Sequence, residues 1–462
     1  MKLRVRTIAA ATAIAIICLG CSRAGTGSTA LAGSAAATAG TATTSGNFGT
    51  LKDVCRPGNA AGSPDQGVTA AQIKVGVLTD ESYTKNPDVV NAAKVFTAWC
   101  NAAGGIDGRK LVADVHDTGL FNVVSAMTSA CGSDFTLAGD AVALDGLSVN
   151  QRLKCLLPEF AAEVFMPQNV NSGLQVTPVT DGHSYALYAG YYNWLLNQAY
   201  PGSGSSVTLI YADAAVAQID SSMDVETLKA DGAVSVHQES YPAVGAINWT
   251  PYAEAIKNEG AKGLLFLGEP QSLAALETAL DNIGYTPDWI DANTNSYSTA
   301  FIQAAGKSLS LQHNYAALPA IYPVEKDADN TATRQVVSLF AKYAPGQPVT
   351  LQVLEAFSAW LIFATAAETC GSDLTRSCVY EAAIKQTSWT GGGLTAPVNL
   401  AQPDTAPDCF NVEQATVTGW QPASFGANSG AYRCGEQAIT LKGDYPQPIT
   451  LNDVGKSISD LK

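Results

Sequence analysis

Residues 72–117 read QIKVGVLTDESYTKNPDVVNAAKVFTAWCNAAGGIDGRKLVADVHD. Ile73 to Leu78 is a short apolar run rich in β-branched residues, which predicts a buried parallel strand, and Thr79-Asp80-Glu81-Ser82 forms a polar corner at its end. From Asp88 to Ala103 the residues Val89, Val90, Ala93, Val95, Phe96 and Trp99 recur near helical spacing, and Gly104-Gly105 stops that helix. Asp107-Gly108 makes a turn and Leu111 to Val115 is the next strand. The stretch is one β-loop-α-turn-β unit of a doubly wound sheet, in which functional loops gather at the carboxyl ends of the strands.

Working outward, the same alternation recurs. Helix Val123–Ala130, strand Phe135–Ala138, helix Val149–Lys154 and strand Leu156–Val164 complete a first set. An irregular, proline-bearing segment from Pro167 to Thr180 reads as a crossing. A second set follows: helix Tyr185–Asn197 and strands Val207–Ala212, Val234–Tyr241, Gly263–Leu267 and Trp289–Ala292, with helices between them. Alternation of this kind implies parallel crossovers. The expected fold is α/β, two lobes built on doubly wound parallel sheets. The aromatic run from Ala356 to Phe363 is short of a membrane span and predicts a helix buried within a lobe.

The chain has 462 residues, too many for one core. Its 26 Lys and Arg against 41 Asp and Glu give a net charge of −15, which argues against nucleic acid as a partner. Residues 1–20 read as an export signal, with a cationic start and an apolar run from Ile8 to Leu19. Cys21 after Leu19-Gly20 resembles a bacterial lipobox and would carry the lipid, although Cys18 stands where an aliphatic residue is usual. Residues 21–50 are Ala, Gly, Ser and Thr with few bulky side chains and are expected to be a flexible linker reaching on the order of 30 Å.

Ten cysteines occur, eight of them beyond Cys21, and in an exported chain they read as disulfides. The short loop pairs Cys370 with Cys378, and the C-terminal segment leaves Cys409 with Cys434. Cys131 and Cys155 each end a helix on one sheet edge, and Cys55 then falls to Cys100. No C-x-x-C or Cys/His cluster supports a metal. Only four His occur, none in H-E-x-x-H or beside G-x-S-x-G, and neither a P-loop nor a dinucleotide fingerprint is present, so no catalysis and no cofactor are expected. What remains is a set of polar corners at strand ends: Thr79, Asp80, Ser82 and Tyr83, then Asp140, Glu163, Asp213, Glu269, Asn293 and Tyr297. Across a cleft such groups would orient a small ligand.

The segment Ile73–Asp80 together with N-A-A-G-G-I-D-G-R-K over Asn101–Lys110 resembles the type I periplasmic binding proteins of ABC transporters, in particular the branched-chain amino-acid class. Trp249-Thr-Pro-Tyr252, Gly268-Glu-Pro270 and the Cys370–Cys378 loop look like actinobacterial members, and the resemblance covers roughly 68–434. It implies that three hinge crossings join the lobes and sets the boundaries at 51–175 with 323–405 for lobe 1 and 176–322 with 406–440 for lobe 2, followed by a tail over 441–462. It also implies hinge closure over a small solute such as an amino acid or amide, delivery to a membrane permease, and a monomer anchored by its lipid on the extracytoplasmic face. It adds Ala141 and Ala162 to the contact set through the corners Asp140–Val142 and Ala161–Glu163. Members that hold a carboxylate place Ser or Thr at the third-strand corner, whereas this chain has Gly139-Asp140-Ala141, so a plain branched-chain amino acid is not implied, and an amide, a polyol, a nucleobase-like compound or a cation-bearing ligand fits equally. A ligand sensor feeding a membrane signalling partner is the alternative reading of the same fold.

Overall fold

The structure, a computed structural model, describes residues 44–179 and 183–462. Two sheets organise them into two α/β lobes. The first sheet is parallel throughout and contains β1 (Gln72–Thr79), β2 (Lys110–Asp117), β3 (Thr136–Ala138), β4 (Glu159–Phe160) and β5 (Gln175–Val176) in the order β2-β1-β3-β4-β5. The second repeats that order with β6 (Val207–Ala212), β7 (Val236–Tyr241), β8 (Gly263–Leu267), β9 (Trp289–Asp291) and β10 (Asn314–Leu318). It then turns antiparallel into β11 (Cys409–Thr416) and β12 (Gly419–Pro422), with β13 (Arg433–Cys434) pairing β11. In both sheets the chain starts centrally and reverses direction beside its first strand, which opens a crevice at the strand carboxyl ends.

The Asn101–Lys110 motif has a local physical cause. The Asn101 side chain bridges helix to strand, donating to Leu111 O at 2.9 Å and accepting from Leu111 N at 2.8 Å. Gly104 has φ +122° and a Cβ there would fall 2.3 Å from Pro57 N, so only glycine fits between the helix end and the preceding segment. Helix Leu351–Cys370 is buried along nearly its whole length, packing Phe357 and Trp360 against Phe96. Its apolar character is that of a core helix.

Several expectations change. The fourth strand shrinks from Leu156–Val164 to Glu159–Phe160, because Leu156 adopts φ +55° and ends the extended run. Helix Tyr185–Asn197 starts only at Ala189 and closes in a π turn over Leu195–Ala199. The linker does not extend to residue 50: Phe48 is fully buried, 5.8 Å from the Trp99 ring and 5.2 Å from that of Phe357. The expected export signal, the expected lipid site Cys21 and the expected linker up to residue 43 lie outside the described residues. Disulfides join Cys55 to Cys100, Cys131 to Cys155, Cys370 to Cys378 and Cys409 to Cys434.

Residues 441–462 are packed, and they touch both lobes. Leu441 N donates to Ser184 O, and Tyr445 hydroxyl donates to Glu226 on the second lobe. Farther on, Ile449 exchanges backbone bonds with Gln168 and Gly173, and Leu461 packs with Val149, Leu153 and Leu174 of the first lobe. Leu461→Ala is therefore expected to lower stability by about 2 kcal/mol in urea melts, the low end for a buried leucine. An unchanged midpoint would mean that the segment is not held.

Candidate ligand site

The segments that follow β3 and β6 approach each other between the lobes. Asp220 of the second lobe feels the Asp145 charge from the first, and Tyr188 feels both Asp224 and Glu355, so the two walls meet within electrostatic reach.

In the first lobe the corner after β1 is internally braced. Thr79 is buried and its hydroxyl accepts from Glu81 N. Asp80 is also buried: one carboxylate oxygen accepts from Leu120 N at 3.1 Å and from the Thr118 hydroxyl, and the other from Ala143 N at 2.8 Å. Both oxygens thus tie three loops together. Ser82 caps Asp117 through backbone and hydroxyl, each at 3.0 Å. Tyr83 is half-exposed with its ring edge-on to Phe121 at 6.1 Å, placing it on the rim.

The third-strand corner departs further from expectation. Gly139 has φ +70° and a Cβ there would lie 2.6 Å from the Trp360 indole, so this corner sits directly on the core helix. Asp140 is buried and interacts with Glu159 and Arg152; burial and the Glu159 charge hold its carboxyl well above the usual range. Burial at this corner favours the uncharged form of the acid, which weakens the argument against a carboxylate drawn from it. Ala141 N bonds to Leu78 O and Ala162 N to Asp140 O, so both contribute backbone geometry. Glu163 accepts from Gln352 Nε2 at 2.7 Å beside Glu355, and burial raises its pKa.

In the second lobe Asp213 is exposed and accepts from Gln218 Nε2 at 2.7 Å. Glu269 is exposed at the start of helix Pro270–Asn282. Asn293 holds φ +63° and its side chain accepts from Asn295 N at 3.1 Å. Tyr297 is buried and turned toward the second crossing, donating to Glu325 and accepting from Val324 N at 3.3 Å.

Residues that the sequence reading passed over stand nearer the interlobe space. Tyr188, Tyr191 and Tyr192 begin the second lobe, and Tyr192 donates to Asp291 at 3.3 Å. Asp220 and Asp224 lie one helical turn apart on Ala215–Ala230, a spacing visible in the sequence. Burial pushes Asp220 up to about 7 and Asp291 up to about 6. The three crossings enclose a cavity of about 190 Å³ lined by Val179, Tyr188, Tyr191, Pro319, Thr395 and Pro407 among others. Elsewhere Asp114, His116 and Asp134 converge, but Lys74 Nζ lies 2.5 Å from Asp114 and 3.4 Å from Asp134 and supplies the positive charge.

With this geometry in view, a family model described as periplasmic binding protein matches residues 172–417, more than half of the chain. The chain belongs to the periplasmic binding protein family. Among solved structures, this periplasmic binding protein is similar to a fatty acid ABC transporter substrate-binding protein from Thermomonospora curvata, with 19% identity and a TM-score of 0.66 over 86% of this chain and 99% of that one. It is also similar to a branched chain amino acid ABC transporter protein from Thermus thermophilus with bound valine, with 13% identity and a TM-score of 0.62 over 77% and 96%. The LivJ substrate-binding protein from Streptococcus pneumoniae in complex with isoleucine gives 14% identity and a TM-score of 0.58 over 80% and 100%. No curated protein matches in sequence. These likenesses establish the fold.

Proposed function

We propose that the protein is the extracytoplasmic solute-binding component of an ABC importer, anchored through Cys21, which captures a small solute between its lobes and hands it to a membrane permease. The observation that carries this reading is the pair of parallel sheets built on one strand order, each with a crevice at its strand carboxyl ends. Such sheets offer two half-sites and a hinge, so that a solute touching both walls stabilises the closed arrangement. The second support is chemical: the interlobe walls carry tyrosines, carboxyls and amides suited to orienting a solute, with no nucleophile–base pair assigned among them. The relatives that carry valine and isoleucine in their descriptions make small organic solutes the natural first library.

Thermal-shift screening of the purified protein against amino acids, amides, amines, fatty acids, polyols and nucleosides tests this reading. A cognate solute at 100 times its Kd is expected to add about 2.7 kcal/mol to the native state and to shrink the scattering radius as the lobes close. Removing the gene should abolish uptake of the same solute. Silence across the library would sink the proposal, and binding without any uptake defect would favour the sensor reading.

A further inference from the structure

We infer that the C-terminal segment is a further connection between the lobes, a strap of fixed reach that restricts the arrangements the two lobes can take relative to each other. One end is fastened to the second lobe. Thr440 pairs with Tyr185, and Leu441 N donates to Ser184 O at 3.0 Å. The Glu226 carboxylate of helix Ala215–Ala230 then accepts three bonds from the segment: from Lys442 N, from Gly443 N at 3.0 Å and from the Tyr445 hydroxyl at 2.9 Å. The other end is fastened to the first lobe. Ile449 N donates to Gln168 O and Ile449 O accepts from Gly173 N, each at 3.0 Å. A Cβ at Gly173 would lie 3.1 Å from Leu451 N, so strap and lobe are in close contact there. Leu451 and Leu461 pack with Val149, Leu153 and Leu174, and Lys462 O accepts from Ser377 N at 2.9 Å.

Between these two fastenings run Pro446, Gln447 and Pro448 alone. The two prolines fix φ at the polyproline value and leave the span little slack. Tyr445 to Ile449 is four residue steps, so the span reaches about 12 Å in the polyproline conformation and about 14 Å at full extension. Beside it lies an open cavity of about 590 Å³, lined by Asn171, His183 and Asp404 as well as by Gln447 and Pro448 of the span. The Gln447 side chain reaches across to His183, with Oε1 3.3 Å from Nε2. The span therefore bridges a gap between two well-held ends. Such a bridge allows only those lobe movements that keep Glu226 and Gln168 within its reach. A protein that samples fewer arrangements loses less entropy when a solute selects one of them. This restriction goes beyond solute capture, since it acts whether or not a solute is bound.

Distances between spin labels at Phe121 of the first lobe and Val244 of the second, which are 74% and 90% exposed, test this in the solute-free protein. The labels are carried on ketone-bearing residues, because the cysteines of the described residues are paired. A twelve-residue Gly-Ser insertion between Gln447 and Pro448 leaves both fastenings in place, and lengthening a loop in this way is thermodynamically mild. It adds about 19 Å of root-mean-square reach and is expected to widen the distance distribution about twofold or more. Glu226→Ala, at a half-buried position, should widen the distribution as well, since the next hold on the second lobe is back at Leu441. The same insertion after Gly62, in an exposed loop away from the strap, should leave the width unchanged. Equal widths in the parent and the lengthened chain would overturn the proposal, and so would equal widening by the insertion after Gly62. If the lengthened chain loses its fold, Glu226→Ala decides, and an unchanged width in that variant overturns the proposal. No solute enters the measurement, so its failure leaves the solute-binding reading standing, and a silent solute library leaves the strap standing.

Discussion

Arg152→Met is expected to destabilise the protein by about 3–5 kcal/mol, whereas Asp140→Asn, a few ångströms of structure away, should change stability by less than about 1 kcal/mol. Arg152 is fully buried on helix Val149–Lys154, with its guanidinium 3.4 Å from Glu159, donating to Leu157 O at 3.3 Å and to Asn169 Oδ1 at 3.4 Å. Glu159 in turn accepts from Gln175 Nε2 at 2.7 Å, which ties β4 to β5. Methionine fills the volume but leaves Glu159 buried without its counter-charge, and an uncompensated buried charge costs far more than a pair contributes. Asp140 is different: burial and the Glu159 charge push its carboxyl toward the protonated form, so asparagine, neutral and of the same shape, is expected to cost little. Urea midpoints at pH 7 check both. Equal effects of the two substitutions would show that Asp140 is ionised and that the network is misassigned.

That contrast also marks where the sequence stops being informative. Strand and helix periodicity identified both lobes, since β1, β6 and β8 are apolar runs buried on both faces and the pattern reports burial directly. Two-residue strands such as Glu159–Phe160 and Gln175–Val176 leave no periodic trace, and they are set by neighbours already in place. The site was legible only as far as its corners. Position along the chain places Asp80, Asp140 and Tyr297 at strand ends, but not the direction of their side chains, and each is spent within the protein on a loop brace, a buried pair and a hinge contact. Asp220, which feels Asp145 of the other lobe, sits within a helix of weak amphipathicity, where carboxyls normally read as a solvated face. Only the tertiary fold distinguishes a wall from a surface.

Glu277→Gln should stabilise the protein, and the gain should depend on pH. Glu277 lies on the inner face of helix Pro270–Asn282 at 0% exposure, facing Asn314 of β10. Burial pushes its carboxyl up to about 8, with Asp281 adding to the rise and Asn314 opposing it. An acid whose folded pKa is raised binds more protons folded than unfolded, so its contribution is fully present below the unfolded value near 4.5 and is lost as pH rises toward 8. Between 4.5 and 7 that loss amounts to about 3 kcal/mol, since each unit is worth roughly 1.4 kcal/mol. Glutamine keeps the shape and cannot ionise. The variant is therefore expected to match the parent at pH 4, to exceed it by about 3 kcal/mol at pH 7, and to level off above pH 8. Denaturant melts of both proteins at these three values check it: a gain of the same size at every pH would trace the effect to packing, and a loss at pH 7 would mean that the ionised carboxylate is held by a partner. The parent keeps some slope in either case, because burial also raises Glu413 to about 9 and Asp231 to about 7.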